Sequence, residues 1–249
     1  MNILGDIGNS ETKVFLVNND NKILKYIVFP SKKLTNKILY AKFKSLINDF
    51  SKIKKVLFCS VVPSSFNFIK KFFLRNIKKK CYEVKDLNLK SLIKIKVNYK
   101  QVGSDRITNA ISLTNKKDNF IILDFGTATT FDVITKNNYL GGVIAPGVTL
   151  SLDNLIKRAS LIPNIKLNKS KTIIGKNTRQ AVLSGFFWGY TGLINSIISK
   201  IKKKTNKNYK IFFTGGLAHL FNKDIKDKIT IDKNLTINGL IKVSKHFNL

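Results

Sequence analysis

The sequence predicts an α/β protein made of two similar halves. Each is a mixed β-sheet covered by helices, and the two face each other across a cleft. Three observations carry this. First, Ile121-Ile-Leu-Asp-Phe-Gly-Thr-Ala-Thr-Thr-Phe-Asp-Val-Ile134 reads as a buried strand ending in Asp124, a tight turn and a second strand. Second, Ile3-Leu-Gly-Asp-Ile-Gly-Asn-Ser-Glu-Thr-Lys-Val-Phe15 repeats the device 118 residues earlier, aligning Asp6 with Asp124, Gly8 with Gly126 and Thr12 with Thr130. Third, the first half runs strand-strand-strand-helix-strand-helix-strand, an order that suits a mixed sheet with helices packed on it. One Asp-x-Gly also describes an ordinary hairpin turn. Two copies, each opening one half of a 249-residue chain, call for a common cause.

Residues 2–8, 12–18 and 22–29 alternate or run apolar and predict three antiparallel strands. Thr35 to Phe50 has helical spacing in Ile38, Leu39, Phe43, Leu46, Ile47 and Phe50. Lys55 to Val61 predicts a strand, and Pro63 and Ser64 suit the start of a helix reaching about Asn76. Tyr82 to Val84 predicts a short strand. Ser104 or Asp105 is placed to cap a helix running through Leu113.

Lys116 to Asp118 marks the expected seam, dividing the chain into residues 1–116 and 117–249. After the central hairpin, Asn137-Asn138 predicts a turn into a strand from Tyr139, and Leu150 to Ala159 a helix. Residues 161–171 read as irregular. Gly175-Lys-Asn-Thr178 opens the longest helix, through about Lys203. Its stripe of Val182, Phe186, Tyr190, Leu193, Ile197 and Ile201 predicts core or a dimer face. A strand at 210–213 ends in Thr214-Gly-Gly216, and a last helix covers about 235–247.

Composition excludes some classes. Cys59 and Cys81 are too few and too isolated for a disulfide framework or a zinc site, and His219 and His246 offer no ligand spacing. No uncharged apolar run appears long enough to span a bilayer, and no signal segment precedes the first strand. The expectation is a soluble, cytoplasmic protein. The net charge of +31 raises the possibility of a nucleic-acid partner or an accessory, regulatory role. Only four of the 45 basic residues are Arg, however, and the lysines are spread along the chain. Specific phosphate and base readers lean on the Arg fork. Lys, Asn, Ile and Phe all have A/T-rich codons, so genome bias accounts for such a surface without a binding role.

The chemistry follows by elimination. The sequence holds no G-x-x-x-x-G-K-[ST] loop, no protein-kinase His-Arg-Asp signature, and no Ser or Cys beside a plausible His partner. What remains is glycine, hydroxyls and backbone amides at two strand ends, each next to a carboxylate. Such turns suit phosphate and the cation it brings. Gly126 is read as allowing a backbone geometry that a side chain would resist. Phosphoryl transfer works mainly by positioning and charge stabilisation, and it needs a base at the accepting hydroxyl. Gly103-Ser-Asp-Arg106 is the best candidate: Asp105 accepts the proton and Arg106 holds an anionic part of the acceptor. Taken alone, that tetrapeptide describes a helix cap with a surface ion pair equally well.

In combination the motifs are more specific. Asp6-Ile-Gly-Asn-Ser-Glu-Thr-Lys13, Gly103-Ser-Asp-Arg106, Asp124-Phe-Gly-Thr-Ala-Thr-Thr-Phe-Asp132, Gly141-Gly-Val-Ile-Ala-Pro-Gly147 and Thr214-Gly-Gly216 occur in that order. The chain, from residue 3 to about 240, resembles the type III pantothenate kinases of bacteria. The resemblance implies two ribonuclease-H-like halves of the actin-like, Hsp70-like ATPase (acetate and sugar kinase) superfamily. It implies ATP-dependent phosphorylation of pantothenate, the first step of coenzyme A biosynthesis. It also implies Mg2+ with ATP, a monovalent cation (K+ or NH4+), and a homodimer with pantothenate bound at the subunit interface.

Carried over by position, Asp6, Ile7, Gly8, Asn9, Ser10, Glu11, Thr12 and Lys13 form the first ATP phosphate segment, and Thr127 contacts ATP. Asp105 is the proton acceptor. Gly103, Ser104, Arg106 and Thr178 line the pantothenate site, and Asp124 holds the monovalent cation. Thr178 is also placed to cap its helix, and Gly142 and Gly216 let backbone approach the adenosine. The chain departs from the family pattern at Lys96, where an aromatic is usual, and at Tyr99, where proline is common. A different sugar or acid kinase, or a polyphosphate hydrolase, on the same two-half fold is the alternative within this class.

Overall fold

The computed structural model describes residues 1–247. In chain order the strands are β1 (Asn2–Ile7), β2 (Glu11–Val17), β3 (Ile23–Pro30), β4 (Lys55–Ser60), β5 (Tyr82–Glu83), β6 (Lys94–Ile95), β7 (Asn119–Phe125), β8 (Ala128–Thr135), β9 (Asn138–Pro146), β10 (Lys210–Gly215) and β11 (Ile229–Ile231). The helices are α1 (Asn36–Leu46), α2 (Pro63–Phe72), α3 (Ser104–Leu113), α4 (Val148–Arg158), α5 (Thr178–Thr205), α6 (Ala218–Phe221) and α7 (Leu235–Phe247). Two compact units result. The first holds Met1–Thr114, Asn137–Tyr139 and the chain from Asn234; the second holds Asn115–Lys136 and Leu140–Lys233. α7 belongs to the first unit although it lies at the far end of the chain.

In the first unit the sheet order is β3-β2-β1-β4-β5, with β1–β2 and β2–β3 antiparallel and β1–β4 and β4–β5 parallel. β1 and β4 are apolar on both faces because each lies between two strands and under helices, whereas the edge strand β3 is mostly exposed. Ile3, Ile7, Val14, Leu39, Phe43, Val56, Phe58, Ile69, Phe72 and Phe73 form the core between this sheet and α1 and α2. Five of the six strands of the second sheet repeat the order as β9-β8-β7-β10-β11, with β7–β8 antiparallel and β7–β10 and β10–β11 parallel. Its core gathers Ile121, Leu123, Phe131, Phe187, Ile194, Ile198, Phe213 and Phe221.

Several expectations are corrected. α1 stops at Leu46, where Ile47 turns extended, and residues 50–52 form a separate 3-10 turn. Neither Ser104 nor Asp105 caps α3; the N-cap is Gly103, with no side-chain cap bond. Asn177, not Thr178, caps α5, its Oδ1 accepting the Gln180 N–H at 2.9 Å. The fully buried stripe of α5 is Phe187, Thr191, Ile194 and Ile198, one residue over from the predicted stripe, which flanks the same core half-exposed. α5 is also long and apolar enough, by length and composition, to cross a membrane, which the earlier expectation overlooked. Its buried face is nonetheless spent on the sheet of the second unit.

α7 docks on α3 through a missing side chain. A Cβ on Gly239 would lie 2.1 Å from the Thr108 backbone oxygen. Beside this contact the Thr236 hydroxyl donates to Asn109 Oδ1 at 2.7 Å, and the Lys242 ammonium donates to the Thr114 carbonyl at 2.6 Å. Alanine favours a helix by about 1 kcal/mol over glycine, but overpacking against backbone that cannot rotate away costs about 1–3 kcal/mol. Gly239→Ala is therefore expected to lower the urea midpoint of the first unit. A midpoint equal to or above wild type would overturn this interlock.

Candidate active site

The first hairpin sorts its residues by strand alternation. Asp6 is paired across the ladder with Lys13, and Ile7 with Thr12. Successive side chains point to opposite faces, so Asp6 and Lys13 share one face while Ile7 and Thr12 share the other. Ile7 is a fully buried core residue, and the Thr12 hydroxyl pairs with the Ser31 hydroxyl at 2.9 Å. Neither side chain is open to a ligand. Asn9, Ser10 and Glu11 are exposed at the turn, and the Gly8 N–H is closed onto the Glu11 carbonyl at 3.0 Å.

Asp6 lies at the end of β1, opposite Cys59 of β4, whose thiol donates to its Oδ1 at 3.5 Å. Burial pushes the Asp6 carboxyl up to about 6; the Asp105 charge adds to this, and Cys59 and Lys13 oppose it. A rim of Asp6 stays open to solvent, but the protein packed around the carboxylate dominates. Asp105 is raised too, chiefly by burial, against the pull of the Arg106 N–H and guanidinium. That N–H donates to Asp105 Oδ1 at 2.7 Å. A Cβ on Gly103 would sit 2.4 Å from the same oxygen, so a larger residue there would displace the Asp105 carboxylate. The Cys59 thiol is pushed well up by burial and by Asp6, Asp105 and Glu83 around it.

Glu83 is the carboxylate that sequence reasoning missed. It accepts a short hydrogen bond from the Ser104 hydroxyl, which turns the Ser104 side chain inward. Burial raises its pKa, and the bonds from Ser104, Lys85 and Ser60 oppose that rise. The available signal was scarcity: Glu83 is one of 14 acids, alone in the apolar stretch Cys81 to Val84. Lys96 and Tyr99 both line a pocket of about 510 Å³ with Leu87, Leu89, Ile93 and Ile95. The Tyr99 hydroxyl donates to the Lys85 carbonyl at 2.8 Å, and the Lys85 ammonium donates to the Val102 carbonyl at 2.8 Å. The pocket wall is thereby tied to the segment that enters α3.

The second unit carries its own strand-end site. Asp124 is paired with Thr130 across β7–β8, and with Thr214 across β7–β10. The first turn is one residue longer than the second, so in register Lys13, not Thr12, corresponds to Thr130. Thr127 and Gly126 are exposed at the turn. Gly126 is not the strained position: a Cβ there would meet only the Ala128 carbonyl, at an ordinary 3.7 Å. The glycines that make room here are Gly147, whose virtual Cβ would lie 2.1 Å from the Thr127 carbonyl oxygen, and Gly215, with φ +86 and a virtual Cβ 2.6 Å from the Phe125 carbonyl and 2.8 Å from Asp124 Oδ1. Gly216 faces open space, while Gly142 lies on β9, three strands away from β10. Thr178 is exposed at the first turn of α5.

A monovalent cation at Asp124 fits the donor set. The Thr130 hydroxyl oxygen, directly across the ladder, is buried and makes no hydrogen bond, and hard cations take oxygen ligands. Among the described residues no three His, Cys, Asp or Glu side chains converge as a metal site. A divalent ion at Asp6 would therefore take most of its ligands from phosphate oxygens and water, as Mg2+ commonly does.

The family model described as type III pantothenate kinase matches residues 2–200. The chain is 57% identical over 244 residues to a type III pantothenate kinase of Pelagibacter ubique (strain HTCC1062), covering 98% of both chains. It is 35% identical over 242 residues to one of Geotalea daltonii, covering 94% of each. Among solved structures it is similar to a Campylobacter jejuni protein described as a Baf family transcriptional activator, with TM-score 0.65, 22% identity and 99% and 100% of the two chains covered. It is also similar to an inorganic polyphosphate/ATP-glucomannokinase from Arthrobacter sp. strain KM, with TM-score 0.51, 11% identity and 99% and 97% covered. At such identities the solved structures establish the fold alone, that of the actin-like and sugar-kinase ATPases.

Proposed function

The chain belongs to the type III pantothenate kinase family, and from that premise we propose that it transfers the terminal phosphoryl group of ATP to the terminal hydroxyl of pantothenate, giving phosphopantothenate and ADP. The observation that carries the site assignment is the buried pair Asp6 and Asp105 in the first unit, close enough for the Asp105 charge to raise Asp6. Asp105 takes the hydroxyl proton as the new O–P bond forms; burial makes it a better base than a solvated carboxylate. Arg106 opposes the carboxylate of pantothenate, and the exposed Thr178 is a further substrate contact. Asp6 and Lys13, on one face of the hairpin, hold the phosphate end of ATP, with the exposed Asn9, Ser10 and Glu11 backbone beside them and Thr127 as a second contact.

A divalent ion accompanying ATP, when bound, neutralises phosphate charge. Asp124 with the Thr130 hydroxyl is the seat of a monovalent cation. We read the working form as a cytoplasmic homodimer. The exposed apolar side chains Ile144, Leu150, Ile173 and Ile174 of the second unit support self-association, and two buried free cysteines suit a reducing compartment.

The test is direct. The protein is mixed with ATP, Mg2+, K+ and pantothenate, and ADP is followed. Pantothenate-dependent ADP release that falls when K+ is replaced by Na+ is expected. A folded, dimeric sample that releases no ADP in response to pantothenate, yet does so with a sugar or a different acid, would transfer the assignment to another kinase of this fold.

A further inference from the structure

Glu83 ends the two-residue strand β5 and is 9% exposed. A buried carboxylate is costly to keep without donors, and three converge on this one. Its Oε1 accepts the Ser104 hydroxyl and the Ser60 N–H, the latter at 3.2 Å, and its Oε2 accepts the Lys85 N–H at 2.5 Å. Ser60 is the last residue of β4 and follows Cys59, which donates to Asp6. Ser104 is the first residue of α3 and precedes Asp105. Hydrogen bonds to an ionised acceptor are roughly twice as strong as neutral ones. Glu83 is thus a strong clasp between the two backbone segments that carry the residues assigned to phosphate and to proton transfer.

We infer that Glu83 is a positioning residue for phosphoryl transfer: by holding the start of α3 against the end of β4, it sets the separation of Asp105 from Asp6. The inference rests on Asp105 being the proton acceptor. It also gives Ser104 a role different from a substrate contact, because the Ser104 hydroxyl is spent on Glu83. Misplacing a reacting group by about 1 Å costs on the order of 100-fold in rate. A residue that only helped the chain fold would lower stability and leave turnover per folded molecule unchanged.

The experiment uses the full chain with saturating Mg-ATP and K+. Glu83→Gln and Ser104→Ala are each expected to lower kcat by about 10–100-fold, with KM for pantothenate and ATP affinity within about 3-fold of wild type. Glutamine keeps one neutral acceptor oxygen and turns an N–H2 toward a donor, so Glu83→Gln weakens the same clasp from which Ser104→Ala removes one bond, and the double variant should be scarcely worse than the weaker single one. Ser104→Thr, which restores a hydroxyl, should recover most of the loss. The inference is overturned by wild-type kcat in folded Glu83→Gln or Ser104→Ala, by a Ser104→Ala defect confined to KM, or by additive losses in the double variant. If Glu83→Gln does not fold, the Ser104→Ala and Ser104→Thr pair decides alone. Asp105→Asn is run beside them. Its inactivity with wild-type turnover in the other variants removes only the role of Glu83; turnover in Asp105→Asn itself takes down the base assignment and this inference together.

Discussion

Asp105→Asn is expected to lower pantothenate-dependent ADP formation by about 1,000-fold, within the range for loss of a positioned general base, while ATP still binds and the chain stays folded. Asparagine keeps the shape and one acceptor oxygen, so the Arg106 N–H that now reaches Oδ1 at 2.7 Å retains a partner. What disappears is the ability to take a proton. A thousandfold loss corresponds to about 4 kcal/mol of barrier, well above what a slightly moved side chain would produce. Steady-state kinetics with a nucleotide-binding titration and a urea melt check it. Turnover within tenfold of wild type removes Asp105 from the chemistry, and an unfolded variant makes it a structural residue.

Asp6→Asn should do two opposite things: remove activity and stabilise the first unit. The Asp6 carboxyl is raised from 3.8 to about 6, mainly by burial and then by Asp105. The sign follows from proton binding. The folded state holds this proton more tightly than the unfolded chain, so the group's favourable contribution is complete below the unfolded pKa. It is lost as pH rises through about 6. A shift of about two units is worth on the order of 3 kcal/mol, and the side chain's partial exposure trims this to about 2 kcal/mol at pH 7. Asparagine never ionises and escapes that cost. The variant should therefore have a higher urea midpoint than wild type at pH 7 and the same midpoint near pH 4, with turnover lower by about 100-fold or more (about 2.7 kcal/mol). A variant less stable than wild type at pH 7 would show that Asp6 is held by attractive contacts that outweigh its burial.

Asp6, like Asp124, was legible as a candidate before any fold was known, and the reason is local; Asp105 was singled out only by its place in the order of motifs. Asp6 and Asp124 end apolar runs and precede glycine turns, a pattern set within a few neighbouring residues, and each forms a strand end in the structure. Most strands of both sheets and six of the seven helices follow from period and length in the same way, since alternation and helical spacing are repeated over many residues. Where the pattern was brief, reading failed. β6 and β11 have two and three residues, and α6 has four, too few for any period to show.

Other features were decided by closeness between distant parts of the chain. Hairpin register alone placed Thr12 and Ile7 on the core face and left Asp6 and Lys13 on the other. Glu83 gained its meaning only when β5 came beside β4 and α3. Gly239 reads as a weak point in a helix until α7 lies on Thr108. Periodicity, turn residues and the order of motifs are written along the chain, and they specified the strand-turn-strand units, the α/β class and the candidate acids. Which side chain faces a ligand, which is consumed by a neighbour, and which residue sets the distance between two catalytic groups depend on contacts between segments far apart in sequence. Those contacts arise only when burial of the two cores brings the segments together, so they had to await the folded molecule.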